Sequence, residues 1–206
     1  MARKTREEAL ETRNLILDTA ESVFSAKGVS RTSLNEIAKT AGLTRGAIYW
    51  HFKNKADLFD AMMQRVILPM EEFAQESALA TDSNPIERIR HTALQVTDMM
   101  VNELRARRVF EIVMHKMELV DDMLPIRDRH LHGREECIGK VEVDFQIASE
   151  KNLLRTHVKP REAAVGLHAI LDGLIANWVL EPSAFDLQSQ ARFTINAFLA
   201  GLTRQP

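Results

Sequence analysis

The segment Ser33–Phe52, SLNEIAKTAGLTRGAIYWHF, constrains this chain more than any other. It holds two short apolar-periodic stretches on either side of Gly42. In the first, Leu34, Ile37 and Ala38 share a helical face, and Ser33 followed by Glu36 has the spacing of a capping box. Gly42 can take the left-handed backbone conformation that ends a helix and turns the chain. In the second, Thr44 is a good N-cap, and Ala47 and Ile48, closed off by Leu43 and Phe52, supply an apolar side. Thr44, Arg45, Gly46, Tyr49 and Trp50 are left facing outward, with Trp50 expected to divide between this face and packing on a neighbouring helix. A helix this short gains little from propensity and must be held by packing. Two short helices joined at a glycine, the second crowded with polar and aromatic groups, form a helix-turn-helix signature.

The rest of the chain also reads as helix. Apolar residues recur at three and four positions, only 6 prolines interrupt the sequence, and no strand alternation or internal repeat is visible. A first helix is expected over about 7–27, with Leu15, Ile16, Ala20, Val23 and Phe24 inward and Gly28 at its end. A fourth starts near Asn54, and Pro69 should kink or end it. Further helices follow from Pro85, from near Glu103, across roughly 124–152 with Leu131, Ile138, Val141 and Phe145 inward, from Pro160, and from about Leu187. The expected architecture is all-α, with about nine helices. A three-helix head over 1–53 precedes a larger body over 54–206. The last two helices are apolar on more than one side, which calls for two burial partners. A second copy of the chain is the natural second one.

Charge is unevenly placed. Residues 1–55 carry 10 Lys+Arg against 6 Asp+Glu, and residues 56–206 carry 17 against 23, within an overall charge of -2. A basic head on an acidic body lets counterion release draw the head to phosphates while the body is repelled. Arg3, Lys4 and Arg6 form a short basic arm that can reach phosphates or a minor groove, or remain a solvated terminus. The single cysteine, Cys137, excludes an intramolecular disulfide and fits a reducing cytoplasm. The N-terminus lacks the apolar core of a secretory signal, and the uninterrupted apolar runs fall short of the roughly 18–20 residues that span a bilayer, so no membrane association is expected.

The run TRNLILDTAESVFSAKGVSRTSLNEIAKTAGLTRGAIYWHFKNKADL, Thr12–Leu58, resembles the TetR family of bacterial transcriptional regulators, and the AcrR-like multidrug-efflux repressors in particular. TRGAIYWHFKNK is its most specific part. A looser likeness continues through HKMELVDDM, from His115, and LDGLIANW, from Leu171. The resemblance implies a helix-turn-helix head, a regulatory body enclosing a pocket for a hydrophobic or amphipathic small molecule, and a homodimer built from the last two helices.

A dimer presents two recognition helices, so the operator is expected to be pseudo-palindromic double-stranded DNA. Arg45 is the best base reader, because a guanidinium bonds a guanine edge bidentately. Thr44 suits a thymine methyl or a phosphate, Gly46 allows close backbone approach, and Tyr49 suits a thymine methyl or a phosphate. His51, Lys55, Ser33 and Thr32 are the expected phosphate contacts, which position the head, whereas base contacts specify sequence. Trp50 completes the candidate set.

For the pocket, helical spacing and the resemblance together select Val66, then Ile89, Thr92, Ala93 and Val96, then Phe110, Val113 and Met114. Cys137 and Val141 follow, then Leu167, His168, Leu171, Asp172 and Ile175. Asp172 stands in an apolar helix and needs a partner, either a ligand group or an internal side chain or water. Cys137 reads as a small apolar residue.

The chain has no Gly-rich phosphate loop, no G-x-S-x-G elbow and no H-E-x-x-H pair, so no enzyme activity, metal site or cofactor is expected. A helical carrier or adaptor that ignores DNA is the rival reading, opposed by the basic head and TRGAIYWHF.

Overall fold

The computed structural model describes residues 6–80, 84–118 and 124–204, with the side chains of 70–80 outside the description. Arg3 and Lys4 of the basic arm also lie outside it. Among the described residues there are nine α-helices: α1 Arg6–Lys27, α2 Leu34–Thr40, α3 Arg45–His51, α4 Lys55–Ala80, α5 Pro85–Asn102, α6 Leu104–His115, α7 Leu124–Glu150, α8 Pro160–Leu180 and α9 Leu187–Leu202. The all-helical expectation and the number of helices both hold. Pro69 does not end α4, which continues through it to Ala80.

The chain forms two compact units, Met1–Ile67 with Arg108–Arg129, and Leu68–Arg107 with His130–Pro206. In the first, α1 buries Thr12, Ile16, Leu17, Ala20, Glu21, Val23 and Phe24. The stripe is rotated slightly from the expected one, so Leu15 is exposed and Leu17 is enclosed. Glu21 is the unexpected member, since a buried carboxylate requires a partner. Arg65 of α4 supplies it: Nη1 lies 3.2 Å from Glu21 Oε1, while Nη2 lies 2.7 Å from Asp18 Oδ1. Farther along, Arg129 donates to the Ala56 carbonyl at 3.2 Å and lies 3.4 Å from Asp60, tying the start of α7 to α4.

In the second unit, Ile86, Ile89 and Ala93 of α5 form one core with Ile138, Phe145 and Ala148 of α7, Ala163, Ala164 and Leu167 of α8, and Ala191, Ile195 and Leu199 of α9. Arg107 closes the end of α5 by donating to the carbonyls of Met100 at 3.2 Å and Val101 at 2.7 Å, and its guanidinium stacks over Trp178. The segment after α7 pairs with the segment after α9. Arg155 N bonds Leu202 O at 2.9 Å, and Arg204 N bonds Leu153 O at 3.0 Å, around a single bridge between Leu154 and Thr203. Leu131 of α7 was expected inward but is exposed, because the buried stripe runs through Ile138, Phe145 and Ala148 on another side of that helix.

By length and composition alone α8 is apolar enough to cross a bilayer, although Arg161, Glu162, His168 and Asp172 interrupt it and no unbroken apolar run reaches that length. One of its faces is spent in this core. The other leaves Val165 and Leu180 exposed, and α9 likewise leaves Phe193 exposed.

Candidate nucleic-acid interface

The helix-turn-helix is assembled by its own caps. Ser33 Oγ accepts the Glu36 amide at 3.2 Å, starting α2. The reciprocal half of the capping box is replaced, because the Glu36 carboxylate pairs with Lys27, which holds its pKa below the ordinary value. At the far end of α2, Leu43 N bonds Ala38 O at 2.8 Å and Gly42 N bonds Lys39 O at 3.1 Å, the two bonds of a Schellman turn. Gly42 has φ +69°, where a Cβ would be strained although there is open space for one. Thr44 Oγ1 then accepts the Ala47 amide at 3.2 Å, and α3 begins.

Helix α3 is held by Ile48, fully buried, with Phe52 buried just beyond it and Leu43 and Ala47 half-buried. This leaves Thr44, Arg45, Gly46 and Tyr49 exposed together on one short helix. Trp50 is 73% exposed, so the expected packing on a neighbouring helix is absent. Its ring instead meets the His51 ring edge-on, with centroids 4.5 Å apart. The Arg45 guanidinium lies 5.4 Å from the centre of the Tyr49 ring, one helical turn away. Lys39 and Lys53 are also exposed on this head, and sequence reading did not select them.

Two expected phosphate contacts have other work. The Thr32 side chain is enclosed, and its hydroxyl donates to Gly28 O at 2.8 Å, so it does not reach the surface. The Lys55 ammonium donates to the carbonyls of Val29 at 2.8 Å, Ser30 at 3.1 Å and Thr32 at 3.1 Å. Three donors meet three carbonyls of the α1–α2 turn. Lys55→Met should therefore lower folding stability by roughly 2–3 kcal/mol, because charged hydrogen bonds are lost and carbonyls are left unpaired. A urea titration reads this loss. The salt dependence of DNA binding should keep its slope, whereas removal of a phosphate contact would flatten it by about one unit.

The residues expected to line a ligand pocket fall into both units. In the first, Val66 and Val113 are buried, and Phe110 and Met114 are half-buried. In the second, Ile89, Ala93 and Leu167 belong to the apolar core, with Val141 and Leu171 packed against it. Ile175 is buried, and Thr92 and Val96 are half-buried. Cys137 is exposed, one position off the buried stripe through Ile138, so it does not join Val141 against the core. Asp172 meets an internal side chain: its Oδ2 lies 3.2 Å from His168 Nε2, one turn earlier on α8. His130 of α7 belongs to the same cluster. Burial pushes its pKa down, the Asp172 carboxylate opposes that shift, and Arg134 and His168 add to it. Among the described residues no group of three metal-ligating side chains is assembled.

An all-α chain that displays Arg45 and its neighbours on a capped, packed second helix of a helix-turn-helix is a DNA-binding regulator in class. Comparison with known proteins places it further. Residues 16–62 match the family model for bacterial regulatory proteins of the tetR family, and residues 84–203 match that for the C-terminal region of MAATS-type transcriptional repressors. The transcriptional regulator AcrR of Shigella flexneri is 39% identical over 93% of this chain and 89% of its own length. The crystal structure of NalD from Pseudomonas aeruginosa, the secondary repressor of the MexAB-OprM multidrug efflux pump, superposes with a TM-score of 0.88 at 33% identity, covering 98% of this chain and 100% of that one. SmeT, the repressor of a Stenotrophomonas maltophilia efflux pump, has been solved with triclosan and gives a TM-score of 0.84 at 29% identity, over 95% and 93% of the two chains. The chain belongs to the TetR family of transcriptional regulators. It is a DNA-binding repressor and not an enzyme, and the carrier reading is set aside.

Proposed function

We propose that this protein represses a multidrug-efflux operon and leaves its operator when a hydrophobic or amphipathic small molecule binds the body over 54–206. The observation that carries this reading is full-length similarity to AcrR and NalD, joined to the exposed Thr44–Trp50 face. The SmeT–triclosan complex supports the ligand class. The head over 1–53 touches DNA through Thr44, Arg45, Gly46, Tyr49, Trp50 and His51, with Ser33 at a phosphate. Thr92, Val96, His168 and Asp172 are the side chains of the second unit best suited to an effector, being only half-buried. The His168–Asp172 pair offers it a polar partner within an otherwise apolar setting. The protein acts in the cytoplasm as a homodimer through α8 and α9, whose outward faces carry Val165, Leu180 and Phe193. A ligand that favours the DNA-incompetent arrangement shifts the equilibrium by its differential affinity.

A mobility shift with the chain's own upstream region tests the proposal, run with and without triclosan and a panel of hydrophobic antibiotics. Retention of the complex against every compound would refute effector release. In the same assay at fixed salt, Arg45→Ala should weaken operator binding by roughly 1–3 kcal/mol and relax preference at one base position. Unchanged affinity would move the reading head elsewhere.

A further inference from the structure

The α1–α2 turn is held from two directions by residues outside the helix-turn-helix. Lys55 grips its carbonyls from the start of α4. The chain leaving α6 holds its other side. Val29 N donates to Lys116 O at 2.9 Å, the Ser30 hydroxyl donates to Glu118 Oε2 at 3.0 Å, and the Arg31 guanidinium lies 3.8 Å from Glu118 Oε1. Gly28 marks how close this approach is. Its φ is +85°, and a Cβ there would stand 3.3 Å from Lys116 O. Lys116 is itself tied to α6, because its amide bonds Ile112 O at 3.0 Å. Beside these bonds the ends of α1 and α6 enclose a hollow of about 430 Å³, lined by Ala26, Lys27, His115 and Met117 among others. The connection at this point is therefore a small set of hydrogen bonds next to open space. Ser33, three residues beyond Ser30, is the cap that starts α2.

We propose that Ser30 and Glu118 form a latch that transmits displacement of the last turn of α6 to α2 and α3. Both are positioning residues for operator release, and the assignment deepens the effector-release reading on which it rests. Withdrawal of the 116–118 segment pulls the Val29 amide and the Ser30 side chain with it, and the start of α2 follows. Without the Ser30–Glu118 bond, the backbone bond from Val29 N to Lys116 O is the main tie left, and less of the α6 displacement reaches the turn. Neither residue reads a base.

Coupling of this kind is reciprocal, so it is measurable without an effector. The test is amide hydrogen exchange across α6 in the full-length protein, with and without a duplex that the protein itself selects from a random-sequence pool. In the unmodified chain, DNA should slow exchange in the last turn of α6 by about fivefold or more. Ser30→Ala combined with Glu118→Ala should reduce that slowing severalfold while operator affinity is retained. Glu118→Gln should preserve it, because an amide oxygen still accepts the Ser30 hydroxyl. Ser30→Ala alone repeats the test with a single change. Equal slowing in the double variant overturns the latch, as does the absence of any slowing in the unmodified chain. A parallel titration with triclosan separates the two readings: failure of triclosan and of the hydrophobic panel to release DNA, with the exchange coupling intact, removes effector release and leaves the latch standing.

Discussion

Replacing Arg65 with alanine should cost about 3–5 kcal/mol of folding stability, the usual result of removing one partner from a buried ion pair. The reason lies in Glu21, whose side chain is only 3% exposed and sits 3.2 Å from the guanidinium. With Arg65 gone, a carboxylate remains enclosed in the α1 stripe without its cation. Asp18, the guanidinium's other partner, is 51% exposed, where an ion pair contributes little. Asp18→Ala should accordingly cost no more than about 1 kcal/mol. Replacing Arg65 and Glu21 together with leucine and methionine should recover most of the loss, because a well-packed apolar pair often equals a buried ionic one. Urea titrations of the three variants separate these outcomes. An Arg65→Ala loss as small as that of Asp18→Ala would mean that Glu21 is not held by this contact.

The second large effect is expected at Phe193, which is 71% exposed near the middle of α9. Phe193→Glu should shift the protein from dimer to monomer in sedimentation and lower operator affinity by about 10²-fold or more. Two linked heads bind as one bivalent unit, and separated heads lose that gain. The same substitution should leave the unfolding midpoint of the monomer nearly unchanged, since the side chain has no place in the second unit's core. A dimer that persists would place the subunit contact away from α9.

Much of the head was legible because its signals are local. The Ser33 and Thr44 caps, the Gly42 turn and the Ile48 anchor are each set within five residues, and each appears where spacing put it. The features that escaped are those decided by distant groups. Thr32 lies between Arg31 and Ser33, both exposed, and only the fold turns its hydroxyl back to Gly28. Lys55 looks like any surface lysine in the sequence, yet its three carbonyls lie 23 to 26 residues upstream. Glu118 meets Ser30 across 88 residues, and no periodicity announces that pairing. Periodicity also fixes a face only to within a residue or so. For this reason Cys137 and Leu131 fall outside the buried stripe of α7, and Leu17 rather than Leu15 is enclosed on α1. For Trp50 the outward half of its divided expectation holds and the packing half does not: the ring is 73% exposed and meets the edge of His51.

The pairing between the segments after α7 and after α9 has a consequence for how the chain can vary. Arg204 supplies both an amide to Leu153 O and a side chain to Leu154 O at 2.9 Å, and Arg155 returns the contact through its side chain to Thr203 O at 3.1 Å. Thr203 and Arg204 are therefore a seam that sews the end of α9 to the α7–α8 connection. Deleting Thr203 and Arg204 would remove only two residues. It would nevertheless unpick the link between the α7–α8 connection and the end of α9.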